Sequence, residues 1–147
     1  MVDFKCQRCG YCCTHLTNVQ NGLMFGLYLN PDEVKLFKEE EVKPLFKYKD
    51  QIIAYQMILN ACPHYKDNKC GIYENRPLGC KSFPLKGINE VETIVCRFTR
   101  EHKDEEWNFT TFNKETEVIK KQTEQINIEP IATEMYLFNE NKWITWI

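Results

Sequence analysis

Four cysteines packed into eight residues are the part of this sequence best suited to chemistry: Cys6, Cys9, Cys12 and Cys13. Cys6, Cys9 and Cys12 repeat a spacing of three residues, which lets thiolates from one tight loop reach the same ion or cluster. The run matches the C-x2-C-x2-C pattern that binds iron in bacterial-type ferredoxins. A structural zinc site usually takes one such pair from each of two segments. The octet, residues 6–13, therefore favours a cluster over zinc.

The adjacent pair Cys12 and Cys13 complicates the octet. Neighbouring side chains are expected to diverge, so one of the two would join Cys6 and Cys9 while the other faces a second centre or none. In a helical backbone Cys9 and Cys13 would share a face and Cys12 would point elsewhere. The spacing leaves both choices open.

The remaining ligands would come from four later cysteines: Cys62, Cys70, Cys80 and Cys96. Either one of them completes a single four-thiolate centre, or they supply two centres. Basic residues adjoin several of the eight cysteines, and their charge lowers thiol pKa values and offsets that of the thiolates. These residues are Lys5, Arg8, Lys69, Lys81 and Arg97.

Two histidines also lie near the cysteines in sequence. His15 and His64 are substitute ligands by residue type, but polar neighbours of a site are the more common role. The three tryptophans are expected to pack in the core or at its edge. The eight cysteines thus remain the predicted ligands.

The surroundings of the cysteines favour thiols over disulfides. No apolar signal region precedes Cys6, and no run approaches the roughly 20 apolar residues that span a bilayer. We therefore expect a cytoplasmic protein whose thiols stay reduced. Metal or cluster ligation is then the main prediction.

Charge and motifs exclude several other functions. The net charge of −2 offers no general attraction to nucleic acid or to anionic membranes. The sequence has no glycine-rich phosphate loop, no G-x-S-x-G and no H-E-x-x-H. We expect a protein partner, without nucleic acid or membrane.

The 147 residues predict a single domain, 1–147, of mixed helices and strands. Asn30, Pro31 and Glu33 indicate a capped helix start, and Pro44 is expected to end that helix. The other expected elements are a strand at 25–29, a strand pair at 45–48 and 51–59, a hairpin at 62–70, a helical turn or irregular loop at 73–79, a strand at 87–95 leading to Cys96, a helix at 116–125 and a hairpin of 135–138 with 143–147.

The cysteine pattern resembles the YkgJ-type CxxCxxCC family of zinc- or iron-chelating domains. The resemblance lies in the octet, Cys62-Pro63, Cys70-Gly71-Ile72-Tyr73, Arg76-Pro77, Cys80 and Phe83-Pro84. It covers about residues 6–96 and leaves 100–147 as a C-terminal extension. It implies that the cysteines bind zinc or an iron–sulfur cluster. It also makes Arg76-Pro77 a fixed part of the motif, and a guanidinium there could donate to cluster sulfurs or to carbonyls near Cys80.

We therefore predict a small α+β domain whose loops and short strands gather around one or two cysteine-ligated centres. The centre is a 4Fe-4S cluster, or alternatively zinc. The predicted function is electron transfer or an accessory role to a partner enzyme. One alternative is a structural zinc-binding interaction module. Another is a cluster-dependent protein-modifying enzyme, because flagellin lysine methylases carry a similar cysteine arrangement.

Overall fold

The computed structural model describes residues 1–6, 10–125 and 131–146, with the backbone alone for 123–125. The chain divides into two compact units. The cysteine-rich unit comprises Met1–His15 and His64–Gln125, and the sheet unit comprises Leu16–Pro63 and Ile126–Ile147.

The described residues form strands and short helices in alternation. The strands are β1 (Asn18–Gln20), β2 (Leu23–Phe25), β3 (Leu27–Leu29), β4 (Val42–Tyr48), β5 (Gln51–Met57), β6 (Tyr65–Lys66), β7 (Lys69–Cys70), β8 (Leu85–Gly87), β9 (Glu90–Val91), β10 (Glu134–Leu137) and β11 (Lys142–Thr145). The α-helices are α1 (Tyr11–Thr14), α2 (Leu78–Ser82), α3 (Arg97–Glu101) and α4 (Asn113–Gln125). Short 3₁₀ helices span Pro31–Leu36, Glu39–Glu41, Tyr73–Asn75 and Phe109–Phe112. The fold class is α+β, as the sequence predicts, whereas one domain over 1–147 remains a prediction.

The sheet unit is built on a five-stranded sheet in the order β11-β10-β4-β5-β3. Its pairs are antiparallel. The pair β4–β5 was predicted and is confirmed: Tyr48 pairs with Gln51, and Lys49 adopts a φ of 53° in the turn. The predicted terminal hairpin is also confirmed, since β10 pairs with β11. One apolar cluster packs this unit: Leu45, Phe46, Ala54, Ala132, Met135 and Leu137.

A buried glutamine ties three segments of the sheet unit together. The Gln56 carbonyl oxygen accepts from the Gly26 N–H at 2.8 Å. Its amide nitrogen donates to the carbonyls of Pro44 (2.9 Å) and Tyr136 (3.2 Å). Gly26 separates β2 from β3, where one strand over 25–29 was predicted, and a Cβ there would overlap the Met57 carbonyl. Glycine is required at this close approach.

The helix predicted after Asn30 is shorter than expected. The Asn30–Glu33 capping box is present, but the 3₁₀ helix ends at Leu36 and another begins after Lys38. The prediction that Pro44 ends the helix is wrong, because Pro44 lies inside β4. The register of β4 shifts directly after Pro44, and proline is tolerated in a strand at such irregular positions because it has no N–H to donate.

The cysteine-rich unit consists of shorter elements. Its hairpin β6–β7 turns through Asp67 and Asn68, which have φ values of 52° and 61°, as a two-residue turn of left-handed residues requires. Helix α4 confirms the helix predicted at 116–125, and it packs against α2 and β8. The buried core of this unit is Leu85, Phe112 and Ile119.

The strand predicted at 87–95 is mostly absent. Only β8 and β9 form there, and the chain reaches Cys96 through a loop. The backbone N–H groups of residues 94–96 bond to a side chain instead of to a neighbouring strand. Within the described ranges, no helix combines the length and the apolar character needed to cross a membrane.

Candidate metal centre

The octet turns into a helix at Gly10. Gly10 has a φ of 79°, and the turn α1 that follows carries Cys12 and Cys13. The Gly10 carbonyl accepts from the Cys13 N–H at 3.0 Å and from the Thr14 hydroxyl at 3.1 Å. Both bonds fix the start of α1, and with it the two thiols.

Gly10 also packs against the hairpin that carries Cys70. A Cβ on Gly10 would overlap the hydroxyl of Tyr65. Tyr65 lies in β6 directly opposite Cys70. Gly10 is therefore required for its φ and for this close approach, which brings the octet to the hairpin.

Arg76 is bonded at Cys80 and acts electrostatically on the octet. Its Nε donates to the Tyr73 carbonyl at 2.8 Å, and a terminal nitrogen donates to the Cys80 carbonyl at 3.4 Å. The guanidinium carbon lies 4.0 Å from the centroid of the Tyr73 ring. Its positive charge acts to lower the pKa of Cys12. The bond to the Cys80 carbonyl is the contact that the sequence predicts for Arg76, and its role beside a metal stays a prediction.

The two adjacent thiols of α1 contact each other. Cys13 forms a side-chain hydrogen bond with Cys12, and this bond, burial and the charge of Cys13 raise the pKa of Cys12 well above its ordinary value of 9.0. A backbone hydrogen bond and Arg76 act in the opposite direction but do not outweigh these causes. The expectation that these side chains diverge is wrong, because within this single turn both sulfurs remain in hydrogen-bonding reach. The metal-free pair therefore keeps a proton on Cys12, since two adjacent thiolates would repel.

Helix α3 brings the region of Cys96 to the same turn. Cys96 is the residue before α3. The Arg100 guanidinium lies 5.5 Å from the centroid of the Tyr11 ring, and Tyr11 stacks on His15 with centroids 5.0 Å apart. The Nδ1 atom of His15 lies 2.9 Å from the Tyr11 carbonyl oxygen, so the contacts of this histidine hold α1 and do not mark it as a ligand.

Aromatic packing joins the segment before Cys6 to the helix after Cys96. Phe4, two residues before Cys6, lies edge-on to Phe98, two residues after Cys96, with centroids 5.8 Å apart. The Phe4 N–H donates to the Thr111 hydroxyl at 3.0 Å. These contacts fix the approach to Cys6, which is exposed at the surface.

Two of the predicted ligands, Cys9 and Cys62, are not among the described residues of the cysteine-rich unit. Cys9 lies outside the described residues. Cys62 belongs to the sheet unit, where the nearby Asn60 carbonyl accepts from the Leu16 N–H at 2.9 Å. The predicted hairpin forms across 65–70, and a close approach of Cys62 to Cys70 stays a prediction. His64 contributes its carbonyl to that hairpin, accepting from the Gly71 N–H at 2.8 Å.

The octet thus packs against the hairpin of Cys70 and the helix after Cys96, and it lies within the electrostatic influence of Arg76, which is bonded at Cys80. Seven of the eight cysteines in the sequence fall within the cysteine-rich unit. No disulfide joins any two of the seven described cysteines. Among the described residues, which exclude Cys9, no three His, Cys, Asp or Glu side chains are close enough to hold a metal ion.

The donor set suits a soft metal. Thiols with a neighbouring guanidinium fit zinc or iron–sulfur clusters, because thiolates are the ligands these metals prefer and the cation offsets their charge. Sequence reasoning missed the residues that bring the segments together. Tyr65, Tyr11 and Arg100 carry no spacing signal, since their partners are distant in the chain. The aromatic residues two positions from Cys6 and from Cys96 were the only available hint.

One family model matches the chain over residues 5–114. It is CxxCxxCC, described as "Putative zinc- or iron-chelating domain". The chain belongs to this family. The CxxCxxCC match confirms the resemblance and extends beyond 6–96 to the start of α4. No curated protein and no solved structure matches the chain significantly. Membership in the CxxCxxCC family supports metal chelation as the coarse function.

Proposed function

We propose that this protein binds an iron–sulfur cluster of the 4Fe-4S type and acts in electron transfer or in support of a partner enzyme. One observation carries the proposal: Gly10 packs against the hairpin of Cys70, Tyr11 contacts the helix after Cys96, and the arginine bonded at Cys80 acts electrostatically on Cys12. Three distant segments with cysteines thus lie near one short turn of the octet. Such convergence is typical of a centre with ligands from several loops.

The spacing within the octet supports a cluster over a single zinc ion. Cys6, Cys9 and either Cys12 or Cys13 supply three thiolates in one run, as in ferredoxins. A cysteine from Cys70, Cys80 or Cys96 completes the set, and the others serve a second centre or none. Cys62 is proposed as a ligand on the sequence pattern alone.

The charges of the unit support a thiolate centre. The Cys12 thiol holds its proton in the metal-free protein, and a bound metal displaces that proton because thiolates are the ligating form. Arg76 is placed to balance the resulting negative charge, since it already acts on Cys12 and is held by two carbonyls. When bound, a cluster supplies one-electron transfer.

The exposure of the cysteines supports exchange with a protein partner. Cys6 is exposed, and the other six described cysteines are half-buried. A centre held by such residues lies close to the surface, where electrons can pass to another protein. The partner itself is proposed from this exposure and from the lack of any nucleotide or phosphate motif in the sequence.

The test is the content and colour of full-length protein purified without oxygen. The proposal predicts a brown protein that contains iron and sulfide in similar amounts and bleaches on reduction. An Arg76→Lys variant keeps the charge but loses the planar contacts with Tyr73 and Cys80, and should release iron faster. A colourless protein with stoichiometric zinc contradicts the cluster and supports the zinc-binding interaction module.

A further inference from the structure

Glu92 binds the loop that delivers Cys96. Its Oε1 atom accepts from the N–H groups of Ile94 at 2.6 Å and Val95 at 2.5 Å. Its Oε2 atom accepts from the Cys96 N–H at 3.1 Å. One carboxylate therefore takes up three consecutive backbone donors, and hydrogen bonds to an ionised group are the stronger kind.

The carbonyl side of Cys96 is fixed as well. It accepts from the Arg100 N–H at 2.9 Å and from the Thr99 hydroxyl at 3.2 Å. Thr99 is fully buried. The peptide groups on both sides of Cys96 are thus bonded, which leaves its backbone little freedom and restricts the direction of its thiol.

Glu92 is itself anchored to the segment that follows Cys80. Its N–H donates to the Pro84 carbonyl at 2.7 Å, and Pro84 comes shortly after α2, which contains Cys80. Strand β9 ends at Val91, and among the described residues no strand pairs with residues 93–96. The side chain of Glu92 therefore accepts the backbone hydrogen bonds that a neighbouring strand would otherwise accept from residues 94–96.

We propose that Glu92 is a positioning residue for the metal centre, holding Cys96 in place for ligation before the metal arrives. This rests on the proposed function, in which Cys96 is a ligand. Replacing a residue that is bonded to a ligand, and so orients it, typically lowers metal affinity. A ligand fixed in advance also loses less conformational entropy on binding.

The first experiment uses the reduced, metal-free, full-length chain. In Glu92→Gln the amide NH₂ replaces one oxygen, so that a donor can face the Cys96 N–H and the charge is lost. Amide exchange at residues 94–96 and alkylation of Cys96 should both accelerate several-fold, with Cys70 unaffected. The control is Glu90→Gln, which removes the same charge from an exposed position in the same hairpin and should leave both rates unchanged.

The second experiment titrates Zn²⁺ alone into the same proteins in competition with a chelator. Glu92→Gln should weaken binding by about 10- to 100-fold, and Glu90→Gln should not. In a Cys96→Ser background Glu92→Gln should have little further effect, because its action passes through Cys96. Thr99→Val, which loosens Cys96 from the other side, should weaken binding several-fold and serves if Glu92→Gln does not fold.

The outcomes separate two kinds of failure. If Cys96→Ser binds Zn²⁺ as tightly as the wild type, Cys96 is not a ligand and the proposal falls with that part of the proposed function. If Cys96→Ser weakens binding but Glu92→Gln does not, only the positioning role is overturned. Equal weakening by Glu92→Gln with and without Cys96 also overturns it, since the effect would then be a general loss of structure.

Discussion

The two units of this chain are stabilised by different means. In the sheet unit, β4 and β5 each run for seven residues and six buried apolar residues form the core. In the cysteine-rich unit, no described element before α4 exceeds five residues, and three buried apolar residues form the core. Yet this second unit contains seven of the eight cysteines.

The contrast indicates what the cysteines contribute. A small unit that buries little apolar surface usually needs a metal or covalent cross-links to fold. No disulfide joins the described cysteines, and membership in the CxxCxxCC family supports metal ligation as the cross-link. We infer that the sheet unit is stabilised by its apolar core, and that the cysteine-rich unit keeps its fold without metal but gains most of its stability from metal binding.

Removing the metal should produce the largest effect. Structural zinc sites supply about 10 kcal/mol or more of apparent binding free energy, which is also folding free energy. A chelator under reducing conditions should lower amide protection in α2 and α3 strongly without abolishing it, and should leave β4 and β5 protected, as followed by hydrogen exchange. Restoring the metal is the control. Equal loss of amide protection in both units would contradict the view that metal stabilises only the cysteine-rich unit.

Replacing a single cysteine should affect metal affinity more in the cysteine-rich unit than in the sheet unit. Cys80→Ser should lower metal affinity by more than about 100-fold, which exceeds the loss typical of replacing a residue that only orients a ligand. We expect this because Cys80 is bonded to Arg76, which acts on Cys12 of the octet. Cys62→Ser, in the sheet unit, is the matched variant and should cost less. Metal content and chelator competition measure both. A larger effect from Cys62 would shift the centre away from the contacts described above.

A core substitution in the sheet unit should act on stability alone. Met135 is fully buried, and Met135→Ala should cost about 2–5 kcal/mol of unfolding free energy. Urea unfolding of the sheet measures this, while metal affinity should stay at the wild-type value. Ile131→Ala, at a position that is 52% exposed, is the control and should change little. Loss of metal in Met135→Ala would show that the two units are not independent.

The smallest effect should come from pH. The pKa of Cys12 is raised in the folded metal-free protein, so its stabilising contribution is present below the ordinary thiol pKa of 9.0 and is lost as pH rises above it. Stability of the metal-free form should fall by at most about 1.4 kcal/mol per pH unit there, and metal affinity should rise with pH. Cys12→Ser should flatten the stability slope in urea unfolding. An unchanged slope would contradict the Cys12–Cys13 contact.

Local patterns in the sequence predicted much of the sheet unit. The Lys49-Asp50 turn, the strands beside it and the terminal hairpin follow from alternation and turn residues. Pro44 misled because proline rules out the inside of a helix but is compatible with an irregular strand. In these cases, the residues that predict an element lie within a few residues of the element itself.

The cysteine-rich unit was predictable in composition but not in arrangement. The octet and the later cysteines are visible in the sequence, and so is Arg76. The contacts that bring these residues together are not visible in the sequence. Gly10 packs against Tyr65, Tyr11 contacts Arg100, and the Glu92 side chain bonds the backbone before Cys96. Contacts between distant segments depend on the fold as a whole, and no periodicity encodes them.

We propose that thiolates of the cysteine-rich unit hold an iron–sulfur centre. X-ray absorption at the iron and zinc edges of the anaerobically purified full chain tests it most directly, because the method reports the atoms bound to the metal. We expect iron with a first shell of sulfur alone and a second shell of iron. A shell dominated by nitrogen or oxygen, or zinc without iron neighbours, would contradict it.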